Sequence, residues 1–107
     1  MPRSRSAALA KVESELDAFP KGWKRAEFDS DLPGREFNAG GLWLLVSFNH
    51  AVHEKLWWAS IFHGGDVDAA WTKDGFPTAV TARQACATRA LAMLREAMDS
   101  VRRADGR

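Results

Sequence analysis

The chain has 107 residues, with 15 Lys and Arg against 14 Asp and Glu for a formal net charge of +1, together with five Trp, six Phe and one Cys. A chain of this length buries only about two thirds of its unfolded surface, so nearly all of its large apolar side chains are needed for one core and a single domain is expected. The balanced charge excludes a global field that would draw in nucleic acid or an anionic membrane. The lone Cys86 excludes an intrachain disulfide and a multi-cysteine zinc knuckle, and suits a reduced, cytoplasmic setting.

The amino-terminal stretch is Ala-rich but interrupted by Lys11, Glu13, Glu15 and Asp17, which a secretory apolar segment would not carry. Residues 1–5 are expected to fray. A short helix is predicted from Ser6 as N-cap, because Leu9, Val12, Leu16 and Phe19 recur at helical spacing, and Pro20 and Gly22 end it. Trp23 to Phe28 reads as a short, charged first strand, and Asp29 to Gly41, with Pro33 and its glycines, reads as a loop.

Leu42 to Asn49 is the clearest strand: Leu42, Leu44, Val46 and Phe48 share the face that must be core, and Trp43, Leu45, Ser47 and Asn49 share the other. Leu56 to His63 is the next strand. The intervening His50 to Glu54 is short enough for a hairpin loop, so the pair is antiparallel. Gly64, Gly65 and Asp66 close it; Val67 to Phe76 receives no assignment beyond a turn at Asp74-Gly75. The last element is a helix opened by a capping box from Thr81 to Gln84 and running from Ala82 to about Arg102, roughly 30 Å. On it Ala87, Ala90, Leu91, Leu94, Ala97, Met98 and Val101 fall in one arc, opposite Thr88, Arg95, Glu96, Asp99 and Arg103, and that arc is expected to cover the core. A tail from about 103 to 107 is expected to fray. The predicted fold is therefore α+β in the order α-β-β-β-α, a three-stranded antiparallel sheet packed on a long C-terminal helix.

No residue set earns a catalytic role. His50, His53 and Glu54 have the donor types of a transition-metal site, but they sit on one loop, and His63 at the far end of the next strand is roughly 30 Å away. Cys86 falls within the apolar side of its helix beside Ala90 and Met93, as a small buried hydrophobe would. Asp29 and Asp31, and Asp66 and Asp68, lie in polar turns, and no nucleophile elbow, phosphate loop, metalloprotease or dinucleotide motif occurs. The chain reads as a non-enzyme with no cofactor and no metal.

The tryptophans stand out. A sheet covered on one side alternates apolar with polar residues, whereas here either strand register leaves aromatic surface on the second face. The amino-terminal helix, a second copy or a partner molecule would have to cover it. Trp43, Trp57 and Trp58 are the expected partner-binding anchors, with Trp23 and Trp71 as contributors, and a protein partner fits aromatic anchors best. Stacking on unpaired bases, with Arg83, Arg102 and Arg103 on phosphate, is the reading from another class, although the strands add only Lys55 to Lys24 and Arg25. A homodimer through the sheet faces is the third.

The order helix, three strands, helix, with the last helix opened at Thr81, resembles the double-stranded-RNA-binding domain and similarly built antitoxin domains. That family carries a lysine-rich start to its last helix; here the stretch Thr81-Ala-Arg-Gln-Ala-Cys86 has Arg83 alone, and acidic Asp29-Ser-Asp31 replaces the family's loop motif. RNA binding of that kind is therefore not implied. The Trp-rich segments Leu42-Trp-Leu-Leu-Val46 and Leu56-Trp-Trp-Ala59, followed by an Ala-rich terminal helix, are similar to those of small phage- or prophage-encoded proteins. This resemblance implies a cytoplasmic accessory protein.

Overall fold

The computed structural model describes residues 2–26, 33–49 and 56–106. They form helix α1 (Pro2–Asp17), strands β1 (Lys24–Arg25), β2 (Gly34–Ala39), β3 (Leu42–Asn49), β4 (Leu56–His63) and β5 (Trp71–Phe76), and helix α2 (Ala79–Ala104). The α+β class and the antiparallel sheet against a long carboxy-terminal helix agree with the sequence reading. The sheet, however, has five strands in the order β1-β2-β3-β4-β5 rather than three, each antiparallel to its neighbour.

Both additional strands lie where the sequence looks polar. β2 falls inside the stretch read as a loop, and it enters β3 through Gly40 and Gly41, whose φ values of 58° and 94° make the two-residue turn that needs positive φ twice. Its core-side positions are Arg35, Phe37 and Ala39, so an arginine breaks the expected alternation. β5 is an edge strand in which Thr72, Lys73, Asp74 and Gly75 are exposed, and its pairing with β4 is irregular between Trp57 and Ala59. Short, charged and irregular edges resist pairing with another chain. β1 is the charged segment read as the first strand; residues 27 and 28 and the loop at 50–54 lie outside the described residues.

The β3–β4 register fixes the core. Leu42, Leu44 and Val46 are buried, Phe48 packs against them, and Trp57, Ala59 and Ile61 of β4 share their face. α2 lies over β3 and β4. It begins three residues before the predicted cap: Thr78 is the N-cap, its hydroxyl accepting from the Thr81 N–H at 3.1 Å, while the Thr81 hydroxyl accepts from the Thr78 N–H at 3.3 Å. Thr81 therefore takes the role that Glu or Gln fills in the usual box, and Gln84 has none there.

The face of α2 also differs from expectation. Ala79, Ala82, Cys86 and Ala90 are buried with Met93 beside them, whereas Leu91, Leu94, Met98 and Val101 are exposed. The sheet supplies the bulk in Trp57, Ile61, Leu44 and Val46, so the helix approaches through its small residues. A wheel weighted by hydrophobicity points instead to its largest ones. The helix also runs through Ala104 into the expected frayed tail, closed by the Asp105 N–H on the Val101 carbonyl at 3.0 Å.

α1 lies on the same side of the sheet as α2, where Arg35 of β2 reaches it. Val12, Leu16 and the following Phe19 are buried, as the helical spacing implied. Arg35, on the helix side opposite Val46 and only 7% exposed, donates to the Asp17 carboxylate at 2.8 Å, to Glu13 at 3.1 Å and to the Gly34 carbonyl at 2.9 Å. A buried guanidinium needs such acceptors. The Glu15 carboxylate accepts from the Ala79 N–H at 3.4 Å and so ties α1 to the start of α2.

Candidate functional site

With both helices on one side, the reverse of the sheet carries Trp43, Leu45 and Ser47 from β3, Trp58, Ser60 and Phe62 from β4, and Thr72 from β5. α1 is not its cover. A groove of about 460 Å³ opens on this face, walled by Leu45, Ser47, Trp58, Ser60, Phe62 and Thr72, with Ala26 and the turn Val67 to Ala69 at its rim. The Ser60 and Thr72 hydroxyls bond each other at 2.9 Å, and Thr72 also donates to the Ala59 carbonyl at 3.3 Å. These side-chain hydroxyls are satisfied within the fold, and the remaining walls of the groove are mostly apolar.

Two features of this face stand out. Val67 is 89% exposed at the rim, where a lone large apolar side chain gains most from being covered. The Trp58 Nε1 is buried with no hydrogen-bond acceptor among the described residues. An orphaned donor of this kind costs roughly 1–3 kcal/mol, and because the indole N–H is itself shielded from the surface it is a cost of the fold and no contact for an occupant.

The structure separates the expected anchors. Trp43, 36% exposed, and Trp58, half-buried in the groove wall, share the open face. Trp57 does not join them: it is 2% exposed on the opposite face, against Phe48 at 5.0 Å between ring centroids. Adjacent strand residues point to opposite faces, so Trp57 and Trp58 could not both be anchors on one surface. Trp23 sits between the rings of Phe19 and Phe37 at 5.3 and 5.5 Å, and Trp71 packs against the core, so both belong to the helix side. Leu45 and Phe62 were readable by alternation. Val67 was not, because its segment has no periodic pattern.

The arginines of the nucleic-acid reading lie elsewhere. Arg83 stacks over the Phe19 ring at 5.0 Å, Arg102 is 3.7 Å from Asp99, and Arg103 donates to the Ser100 hydroxyl at 3.1 Å, all on α2 and across the sheet from Trp43 and Trp58. On the open face Lys24 stands opposite Glu36. His50, His53, Glu54, Lys55, Asp29 and Asp31 lie outside the described residues. His63, Asp66 and Asp68 are exposed, and no group of three or more His, Cys, Asp or Glu among the described residues could hold a metal ion. Cys86 is fully buried, its Sγ 3.6 Å from the Ser60 carbonyl, and burial pushes its thiol up to about 12, with backbone hydrogen bonding at Leu45 opposing. A thiol so placed is a packing residue and a poor nucleophile.

The described residues thus define a small α+β protein whose antiparallel sheet is screened by helices on one face only. No helix among them is long and apolar enough to cross a membrane. No family model, curated protein or solved structure matches the chain.

Proposed function

We propose that this chain is a small cytoplasmic accessory protein, of the phage-encoded kind its Trp-rich strands resemble, that binds another protein through the open sheet face. The observation that carries the reading is the placement of α1 and α2 on one side, which leaves Leu45, Trp58, Phe62 and exposed Val67 around a groove on the other. Pockets of roughly 300–1,000 Å³ with apolar walls are the usual size for an inserted group. Trp43 supplies a flat anchor beside the groove. Covering its exposed third removes roughly 70 Å² from water, worth about 2 kcal/mol, the scale of an interface hot spot. Nucleic acid is the weaker reading, because no cluster of cations among the described residues converges on these aromatics.

The test fills the groove from its rim. Ala69 is exposed and lines the groove, so Ala69→Trp should occlude it without touching the core. Affinity capture from a lysate, with nuclease treatment, should retain one protein on the wild type and lose it at least about tenfold on Ala69→Trp and on Trp43→Ala, with circular dichroism unchanged. Capture that disappears with nuclease, or that survives the filled groove, would overturn the proposal.

A further inference from the structure

Charge is divided unevenly between the two sides of the sheet. The chain as a whole carries +1. The open face and its rim nevertheless hold the carboxylates of Glu36 on β2, of Asp66 and Asp68 in the turn after β4, and of Asp74 on β5, which alternation from Thr72 puts on that face. Among the described strand residues facing that way, Lys24 is the one cation, and it stands opposite Glu36. Asp66, Asp68 and Asp74 are exposed, and among the described residues none of them meets a Lys or Arg. On the helix side the acids are answered: Glu13 and Asp17 hold Arg35, and Asp99 lies against Arg102. Charges of one sign around a cleft with apolar walls focus a potential there, because the walls exclude the water that would screen it.

The groove suits the stem of a cation as well as its charge. Leu45, Trp58 and Phe62 wall it, and the Ser60 and Thr72 hydroxyls are engaged with each other, so a charged head finds its partner at the rim rather than inside. A Lys or Arg side chain has this division built in. Its methylenes lie along apolar surface, aromatic rings attract its charge, and its head emerges at the mouth, where Asp68 stands. A neutral apolar side chain would fill the walls and leave the carboxylates unanswered. Nucleic acid, an anionic lipid surface or the same face of a second copy would set like charge against them.

We infer that the protein segment bound in this groove is basic, laying a Lys or Arg side chain along Leu45, Trp58 and Phe62 with its charge against Asp68, while Asp66 and Asp74 strengthen the field. This rests on the open face being a protein-binding surface, and adds the chemistry of the segment bound there. Charge complementarity selects the occupant.

Selection of a phage-displayed random peptide library against the purified chain, at about 50 mM salt where screening is weak, should return sequences with Lys or Arg enriched beside apolar residues. A selected peptide, followed by fluorescence polarisation, should bind about tenfold more weakly to the triple variant Asp66→Asn, Asp68→Asn, Asp74→Asn, the summed effect of rim ion pairs. Its affinity for the wild type should fall as salt rises to about 0.5 M, and the difference between the two chains should shrink with it. All three aspartates are exposed, so the circular dichroism spectrum of the triple variant should match that of the wild type. Glu96→Gln, which removes a charge from α2 instead, should bind as the wild type does. Selected peptides that are acidic or uncharged, a triple variant that binds as tightly as the wild type, or an equal loss in Glu96→Gln would overturn the inference. Ala69→Trp separates that failure from failure of the reading beneath it. Peptides that Ala69→Trp displaces but the triple variant holds unchanged leave a binding groove without a charge preference, whereas peptides that bind Ala69→Trp undiminished, or a library that yields no binder, sink both.

Discussion

Replacing Trp57 by Ala should cost far more stability than replacing Trp43, although both are tryptophans on the paired central strands. Trp57 is 2% exposed and stacked near Phe48, so truncation removes most of an indole from the core and leaves a cavity between the sheet and α2. An indole buries roughly 150–250 Å², and at about 25 cal/mol per Å² the transfer component is roughly 4–6 kcal/mol before residual burial in the unfolded chain is discounted. Measured truncations of this kind cluster at about 3–5 kcal/mol, a large part of the roughly 5–15 kcal/mol that holds a small domain together. Trp43, already 36% exposed and away from the helices, should cost about 1–2 kcal/mol. Urea unfolding followed by far-ultraviolet circular dichroism separates the two, with a midpoint lowered by about 2 M for Trp57→Ala and by less than half of that for Trp43→Ala. Equal losses, or a larger loss at Trp43, would refute the assignment of the two sheet faces.

Two further outcomes follow from the start and the middle of α2. Thr78→Ala and Thr81→Ala should each cost about 1 kcal/mol and together less than their sum, because they share one set of hydrogen bonds, whereas Gln84→Ala should be nearly silent in the same unfolding assay. For Cys86, burial raises the thiol from its ordinary 9.0 to about 12, so between those values the folded chain holds a proton that the unfolded chain has lost. Stability must then fall as pH rises through that window, and urea midpoints across it should decline less steeply in Cys86→Ala than in the wild type. Identical slopes would mean that the thiol is not buried.

The core strands were legible because Leu42 to Phe48 and Leu56 to Phe62 are short runs rich in apolar and aromatic residues, and the presence of the long helix was legible from its period. β2 was hidden by Arg35, whose guanidinium is buried only because Glu13 and Asp17 of α1 reach it, a tertiary arrangement that no local pattern announces. The turn at Gly40-Gly41 was the one local sign of that strand. β5 was hidden because an exposed edge strand needs no apolar alternation. The face of α2 was misjudged because alanines and a cysteine, small enough to let the helix close on bulky strand residues, make the contact that Leu91 and Met98 would have been expected to make. Of the site, Trp43 and Trp58 were readable as candidates. Excluding Trp57 and placing α1 over the helix side both required the register and the Arg35 clip.

Oxidative footprinting of the tryptophans by mass spectrometry, on the purified chain and on the chain in complex with a protein it captures, bears most directly on the proposal that one sheet face is covered by helices and the other binds a partner. Trp43 should react readily in the free chain and become protected in the complex, while Trp57 stays unreactive in both. Labelling of Trp57 at a rate comparable to Trp43, or a Trp43 whose reactivity the bound protein leaves unchanged, would contradict it.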